Sequence, residues 1–329
     1  MSVIGTGAYG KVFLVKKKTN SHLFAMKVLK KASIVIHAKE TEHTITERSI
    51  LERVQHPFIV KLHYAFQTSS KLYLILDYCQ GGELFSYLAR EKMVSEDVAA
   101  FYSGELILAL EHLHSLGIIY RDLKPENVLL NKDGHVVLTD FGLSKVAVDA
   151  RTVCGTVEYM APETINESTA YDKTVDYWSL GIMIYDMITG SPPFSGNNRK
   201  KVMDSILNKK ITYPNYISSF AKDLLIKLLR KNPAQRLGHG DNGVAQIKKH
   251  GFYRKINWTK LANLDVDVPL KPLGAVRLIS TDLLANFDSH FTSMPLESPS
   301  QDLPPELMDE RHSQLFRGFS FVASTSEYL

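Results

Sequence analysis

The sequence is poor in cysteine and has no long apolar run. Its 329 residues include only two cysteines, so a disulfide framework is excluded and a reducing compartment is expected. No apolar run approaches the roughly 18 residues that a membrane span requires, and the N-terminus has no signal-peptide pattern. We therefore expect a protein of the cytoplasm, and also of the nucleus, with no membrane as partner.

An excess of charge of one sign is also absent. The chain has 39 basic and 35 acidic residues, a net charge of +4, and this balance does not predict direct binding to nucleic acid. The lysines at 16–18 and 30–31 are typical of solvated strand ends. Apolar residues make up 44% of the chain, enough to bury the core of two domains or of one bilobal unit. We expect a monomer.

The first 76 residues are predicted to form mostly strands, interrupted by one helix. β-branched or apolar runs occupy 11–16, 23–29 and 71–76. Between them, apolar residues recur at helical spacing from Lys39 to Val54, with Pro57 just past the end. The apolar positions of this helix are Ile45, Ile50, Leu51 and Val54.

Helical patterns dominate after the glycine pair at 81–82. Ser95 can cap a helix over 96–116 that Gly117 stops, and further apolar helices are predicted at 176–189 and 221–229. Past residue 252 the prolines and the loss of periodicity indicate an extended tail on the globular unit. We therefore predict an α+β bilobal fold with a strand-rich lobe (1–76), a helical lobe (77–252) and a tail (253–329).

Residues 120–142 are the most informative stretch of the chain. They place Asp122, Lys124, Asn127 and Asp140 on two loops that flank a short apolar hairpin. Phosphoryl transfer requires such a set: a proton-accepting acid, a cation and oxygen ligands for a hard cation. The pattern closely resembles the catalytic segment of eukaryotic protein kinases. The resemblance implies that Asp122 is the catalytic base, that Lys124 reaches the γ-phosphate, and that Asn127 and Asp140 bind Mg²⁺.

A glycine-rich motif lies at the start of the chain. Gly5, Gly7 and Gly10 fit G-x-G-x-x-G, which alone also fits a dinucleotide-binding turn or a plain hairpin. Because the glycines run into a predicted strand and not into a helix, the motif favours two strands that close over the phosphates of ATP. Ile4 and Val12 would then lie above the adenine ring.

The kinase resemblance implies further residues of the nucleotide site. Lys27, on a predicted strand, would hold the α- and β-phosphates, and Glu47, on the predicted helix, would fix the ammonium group of Lys27. The segment 76–79 would be the hinge between the lobes. The remaining adenine-site residues are Ala25, Asp77, Cys79 and Leu129. Cys79 is interpreted as a small packing residue, with a reactive thiol as the alternative.

The segment 155–160 and the tail resemble the AGC group of kinases, and the chain is most similar to the ribosomal protein S-six kinase subfamily. The subfamily resemblance depends on 24–32, 56–60, 65–68, 196–201 and the hydrophobic motif. Three tail motifs follow in order: a tether near the nucleotide (286–291), a turn motif with phosphosite Ser298 (295–299) and a hydrophobic motif with phosphosite Ser320 (316–321). The aromatics of the last motif would enter a groove beside the 39–54 helix, where a phosphate on Ser320 meets a cation.

The resemblance also implies how the chain is switched on. Thr152 is the expected activation-loop phosphosite, and its phosphate would meet Arg121, Lys145 and His43. Glu163 would pair with Arg236. Asp176 would hold the catalytic loop through backbone hydrogen bonds. The segment between Gly142 and Ala161 is shorter than the subfamily resemblance implies, so the ordering of this loop is an open question.

We expect an ATP- and magnesium-dependent serine/threonine protein kinase, since the K-P-E-N motif at 124–127 resembles that of serine/threonine enzymes. Its partners would be upstream activating kinases and substrates with arginines before the acceptor, received by Glu83, Glu126 and Asp186. One alternative is a pseudokinase scaffold that binds partners through the tail groove. A small-molecule kinase is another, since it would share the catalytic acids but not the phosphorylatable tail.

The two ends of the sequence also carry expectations. The chain begins four residues before Gly5 and ends nine residues after Ser320. We expect the first strand to lack its usual lead-in, an N-terminal regulatory segment to be missing, and no autoinhibitory C-terminal extension.

Overall fold

The protein folds into a strand-rich small lobe and a helix-rich large lobe, which confirms the predicted fold class. The computed structural model describes residues 1–7, 10–84, 86, 91–146, 156–165, 171–269, 283–296 and 314–323, with the backbone alone at 38, 145 and 146. The tail contributes a strand to the small lobe, so the three predicted parts pack together.

Within the described residues, the strands form three sheets. In chain order they are β1 (Ser2–Gly7), β2 (Gly10–Lys16), β3 (Leu23–Lys30), β4 (Leu62–Gln67), β5 (Lys71–Asp77), β6 (Gly82–Glu83), β7 (Ile118–Ile119), β8 (Val128–Leu130), β9 (Val136–Leu138), β10 (Lys145–Val146) and β11 (Phe321–Val322). The small-lobe sheet is antiparallel, in the order β1-β2-β3-β5-β4-β11. The order β6-β8-β9 forms a second sheet, and β7 pairs with β10. The predicted strands and the apolar hairpin at 128–138 are thus confirmed.

Two helices, and not the single one predicted, interrupt the strands of the small lobe: α1 (Lys31–Val35) and α2 (Ala38–Arg53). They separate where His37 adopts an extended backbone (φ −118°, ψ 101°). The apolar positions Ile50 and Leu51 are buried, but Ile45 is 38% exposed. Five residues turn a helix by about 140° beyond a full turn, which puts Ile45 away from Ile50.

The large lobe is built from helices. The helices with described bounds are α3 (Glu96–Ser115), α4 (Pro162–Ile165), α5 (Thr174–Thr189), α6 (Arg199–Asn208), α7 (Ser219–Leu228), α8 (Gly243–Lys248) and α9 (Trp258–Ala262), while α10 (Ser289–Thr292) lies in the tail. Ser95 caps α3 as predicted, because its Oγ accepts a hydrogen bond from the Val98 N–H at 3.4 Å. Gly190 ends α5 in the left-handed conformation (φ +80°). No helix among the described residues is both long and apolar enough to cross a membrane.

One apolar core continues through both lobes. Leu51 and Leu62 from the small lobe and Tyr120 and Phe141 from the large lobe are all at most 3% exposed and belong to it. The rings of Tyr120 and Phe141 meet edge to face with centroids 5.3 Å apart. These four side chains are therefore part of a common core, which holds the two loops of the 120–142 segment against each other.

A buried ion pair between Glu163 and Arg236 holds the end of the segment 156–165. Arg236 Nη1 and Nη2 donate to the two carboxylate oxygens of Glu163 at 2.5 and 2.8 Å, and Nη1 also donates to the Thr174 carbonyl at 2.9 Å. Arg236 is 2% exposed and its guanidinium group lies over the Trp178 ring. The predicted pair thus ties α4 to the start of α5.

Replacing Arg236 by methionine is expected to lower the free energy of unfolding by about 3–5 kcal/mol, because the Glu163 carboxylate would stay buried without its partner. Urea denaturation measures this loss. A matched control is Lys227→Met, which breaks an exposed ion pair with Asp223 (2.6 Å) and should cost at most about 1 kcal/mol. Equal losses in the two variants would contradict a special role for the buried pair.

Candidate active site

The glycine-rich motif connects two antiparallel strands, β1 and β2, with Gly7 opposite Gly10. This arrangement excludes the dinucleotide-binding alternative, which requires the glycines to open a helix. A Cβ atom at Gly10 would lie 1.9 Å from the Val28 carbonyl oxygen, whereas nothing lies within 4 Å of one at Gly7. Ile4 and Val12 are half-buried on the same hairpin. Their predicted contact with adenine stays a prediction.

Lys27 and Glu47 meet as the resemblance implies. Lys27 Nζ on β3 lies 2.7 and 2.9 Å from the two carboxylate oxygens of Glu47 on α2, and 3.6 Å from Asp140 Oδ1. Burial disfavours the ammonium form, but the carboxylates of Asp140 and Glu47 more than compensate and raise the pKa of Lys27 above its ordinary value. Lys27 in turn holds the pKa of Asp140 below its usual range. Both groups therefore stay charged, as phosphate and metal binding require.

Asp122 lies in a pocket with Lys124 and Asn127. Its Oδ2 is 2.8 Å from Lys124 Nζ and accepts a hydrogen bond from Asn127 Nδ2 at 2.9 Å. Its Oδ1 is buried and has no partner among the described residues. A buried acceptor without a partner is costly, so this oxygen is available to a hydroxyl group that enters the cleft. Burial raises the pKa of Asp122, which makes it a better proton acceptor.

The loop that carries Asp122 depends on Asp176. Arg121 and Asp140 both have positive φ angles, 70° and 55°, a conformation that favours glycine and needs support from its surroundings. The fully buried carboxylate of Asp176 accepts the backbone N–H groups of Tyr120 and Arg121 at 3.0 and 2.8 Å. His114 Nε2 lies 2.7 Å from the same carboxylate. Asp176 therefore holds the catalytic loop, as predicted.

The predicted metal ligands flank the hairpin of β8 and β9. Asn127 Nδ2 donates to Asp122 Oδ2 and to the backbone carbonyl oxygen of Asp122. This leaves the Asn127 amide oxygen as a ligand. The Asp140 side chain is 51% exposed. Within the described ranges, no group of three or more His, Cys, Asp or Glu side chains could hold a metal ion. An amide and a carboxylate oxygen suit Mg²⁺ when phosphate oxygens complete its octahedron. The donor set fits a metal that arrives with ATP.

The other adenine-site residues lie along the junction of the lobes. Ala25 is buried on β3 opposite Leu76, and Leu129 is half-buried on β8. Asp77 ends β5, where its carboxylate accepts the Lys61 N–H at 3.0 Å. Cys79 is 3% exposed and burial raises the pKa of its thiol. This favours the packing role of Cys79 over a reactive thiol, while contacts with adenine remain predictions.

The three acids predicted to bind substrate lie in different environments. Glu83 and Glu126 are exposed, and burial of part of the side chain together with the Glu126 carboxylate raises the pKa of Glu83. Asp186 is only 8% exposed and accepts a hydrogen bond from the Tyr159 hydroxyl at 2.6 Å. Glu83 and Glu126 thus form a negative surface beside the catalytic loop. Asp186 instead holds the Tyr159 hydroxyl inside the lobe. Their binding of substrate stays a prediction.

The predicted tether lies across the hinge. The ring of Phe287 stacks on Tyr78 (5.8 Å, 19°), whose hydroxyl donates to the Leu283 carbonyl, and Asn286 Nδ2 donates to the Gln80 carbonyl at 3.0 Å. Gly82 has φ +71°, and a Cβ there would lie 2.5 Å from the Asn286 carbonyl oxygen. Glycine at this position is therefore needed for the tail to pass.

The hydrophobic motif occupies a groove beside α2, as predicted. Phe316 and Phe319 are 1% and 3% exposed. Arg48 Nε and Nη2 donate to the carbonyls of Phe319 and Ser320 at 3.0 and 3.3 Å, and Gln67 Nε2 donates to the Phe316 carbonyl at 2.9 Å. Sequence reasoning missed the roles of Arg48 and Gln67. The only local signal for the role of Arg48 was its place next to Glu47, on the helix that was predicted to border the groove.

The remaining predicted residues concern phosphorylation. Arg121 Nε donates to the Leu143 carbonyl at 2.6 Å and Nη1 donates to the Tyr171 hydroxyl at 3.1 Å. Thr152, Ser298 and the side chain of Lys145 lie outside the described residues, so their roles stay predictions. The exposed side chain of Ser320 is accessible to a modifying enzyme.

Comparisons with known proteins agree with this geometry. The family "Protein kinase domain" matches residues 1–253, and "Protein kinase C terminal domain" matches 280–321. The chain is 51% identical to ribosomal protein S6 kinase alpha-1 of Rattus norvegicus, over 98% of the chain and 44% of that protein. It is 50% identical to ribosomal protein S6 kinase alpha-3 of Mus musculus (99% and 44%) and 48% identical to a putative ribosomal protein S6 kinase alpha-1 of Caenorhabditis elegans (98% and 41%).

The chain spans less than half the length of these curated relatives. Within that span, the two family matches follow each other in the order that the motifs predict, with the tail after the kinase domain. The resemblance to AGC-group kinases similar to the ribosomal protein S6 kinases is confirmed. By its match over residues 1–253 and the tail that follows, the chain belongs to the protein kinase family.

Proposed function

We propose that the chain is an ATP- and magnesium-dependent kinase that phosphorylates serine or threonine in basic protein substrates. The observation that carries this proposal is the Lys27–Glu47 ion pair in contact with Asp140 (2.7 and 3.6 Å). Transfer requires this pair and the metal-binding aspartate to be in place together. The scaffold alternative gives no reason for such an alignment, and a small-molecule kinase gives none for the docked tail.

The chemistry follows from the positions of the charged groups. Bound ATP would supply the γ-phosphoryl group and leave as ADP. Asn127 and Asp140 would hold magnesium, which would neutralise phosphate charge. Lys27 binds the α- and β-phosphates. The substrate hydroxyl donates to Asp122 Oδ1, which orients it and accepts its proton. Lys124 Nζ contacts the other carboxylate oxygen, Asp122 Oδ2. Its positive charge offsets the negative charge that develops during transfer.

Two exposed carboxylates support a preference for basic substrates. Glu126 follows Lys124 by two residues and lies near enough to Glu83 to raise its pKa. Adjacent carboxylates of like charge are stabilised by an arriving cation, and a guanidinium group can bind a carboxylate through two parallel hydrogen bonds. Arginines upstream of the acceptor would meet this surface. Asp186 is buried, so it would contribute to substrate binding only by holding Tyr159 in place.

Regulation would act through two phosphates added by upstream kinases. A phosphate on Ser320 would lie close to Arg48, which already donates to the Ser320 carbonyl, and would strengthen the contact between the tail and α2. A phosphate on Thr152 would pair with Arg121. We expect the chain to act as a monomer. The scarcity of cysteine supports a location in the cytoplasm, and also in the nucleus.

Asp122→Asn is expected to lower kcat by at least about 100-fold, because the amide cannot accept the hydroxyl proton. Affinity for ATP should change less than about twofold, since Asp122 does not bind the nucleotide. Transfer of labelled phosphate to an arginine-rich peptide with magnesium, together with a nucleotide-binding titration, measures both. The exposed Asp133 provides the control Asp133→Asn. Undiminished turnover in Asp122→Asn would refute the catalytic assignment, and a wild-type chain without transfer would favour the scaffold.

Glu126→Gln is expected to raise KM for an arginine-rich peptide about tenfold, since a charge-assisted bidentate contact is lost. KM for ATP should stay unchanged. A peptide with alanine at the arginine positions should not distinguish the variant from the wild type. Glu42→Gln, at an exposed position on α2, is the matched control. A uniform rise in KM for both peptides would show that Glu126 does not recognise arginine.

Phe319→Ala is expected to reduce activity several-fold without altering any catalytic group. Truncating a buried phenylalanine costs about 3–5 kcal/mol in a fixed core, but here the loss is limited to the free energy of docking, because the tail can detach. Peptide phosphorylation and limited proteolysis of the tail report the two effects. Leu315→Ala, at a position that is 46% exposed, is the control. Wild-type activity with a protected tail would contradict docking through Phe319.

A further inference from the structure

Arg121 contacts three other segments of the active site, two through its guanidinium group and one through its backbone. Nε donates to the Leu143 carbonyl at 2.6 Å and Nη1 donates to the Tyr171 hydroxyl at 3.1 Å. Its backbone N–H donates to Asp176 at 2.8 Å. Because Arg121 directly precedes Asp122, the position of its guanidinium group restrains the direction in which the catalytic carboxylate points.

The backbone of Arg121 needs this restraint. Its φ of 70° lies in a region that costs free energy for a residue with a side chain, and Asp176 holds only its N–H group. The guanidinium contacts hold the other end of the residue. The contact with Leu143 is made to a backbone carbonyl, which no substitution removes. The hydrogen bond to the Tyr171 hydroxyl is therefore the guanidinium contact that a substitution can remove.

Tyr171 is placed by packing as well as by its hydroxyl. It is half-buried and its ring packs against the apolar core just before α5. A hydrogen bond from a charged donor is about twice as strong as one between neutral groups. The ring therefore positions the oxygen, and the oxygen positions Arg121, without any phosphate.

We propose that Tyr171 is a positioning residue that anchors Arg121, and through it Asp122, in the kinase that is not phosphorylated on Thr152. This inference rests on the proposed function. A phosphate dianion is a stronger partner for a guanidinium group than a neutral hydroxyl. Once Thr152 is phosphorylated, the contribution of the Tyr171 hydroxyl becomes redundant. Tyr171 thus supplies the basal activity from which phosphorylation starts.

The test compares Tyr171→Phe in two states of the full chain. The substitution keeps the ring and removes only the hydroxyl. In a Thr152→Ala background, single-turnover transfer to an arginine-rich peptide should slow about tenfold, the effect of one charged hydrogen bond. In enzyme phosphorylated on Thr152, the same substitution should change the rate less than about twofold. KM for ATP should be unchanged in both states.

Tyr216→Phe, at a position that is 61% exposed, is the matched control and should have no effect in either state. An equal loss in both states would overturn the proposal, because it would assign Tyr171 a general structural role. An unchanged rate in the Thr152→Ala background would overturn it as well. Failure of the proposed function gives a different result: neither parent enzyme would transfer phosphate to the peptide at all.

Discussion

The active site depends on one half-buried cation between two carboxylates. Lys27 Nζ contacts Glu47 on α2 and Asp140 just after the hairpin of β8 and β9, so a single ammonium group joins the sheet, the helix and the loop that carries Asp140. Water is largely excluded from Lys27 and Glu47, so these two charges are costly unless they stay paired. The contacts of Lys27 with both carboxylates therefore hold the lobes together at the proposed phosphate site.

The helix α2 is held from two sides through consecutive residues. Glu47 faces inward to Lys27, while Arg48 faces outward and donates to the carbonyls of Phe319 and Ser320. A shift of the helix that weakens one contact also weakens the other. This gives a direct mechanical route from the docking of the tail to the alignment of Lys27, without any change in the catalytic residues themselves.

Much of the site could be predicted from the sequence, because its key residues lie in short motifs with fixed spacing. The hairpin between Asn127 and Asp140 and the end of α5 at Gly190 depend on local patterns that any chain obeys. The partners of Arg48 could not be found in this way, since 271 residues separate it from Phe319. The burial of Asp186 was missed for the same reason: its environment is set by Tyr159, from another segment.

The strand β11 has a consequence for the solubility of the protein. It pairs with β4 through Phe321 opposite Ala65, and β4 is otherwise the last strand of the sheet. An uncovered edge presents a row of free N–H and C=O groups to other chains, and here it would lie beside the emptied groove of Phe316 and Phe319. A detached tail would uncover an edge that can pair with other chains, so the hydrophobic motif covers the end of the sheet in addition to contacting α2.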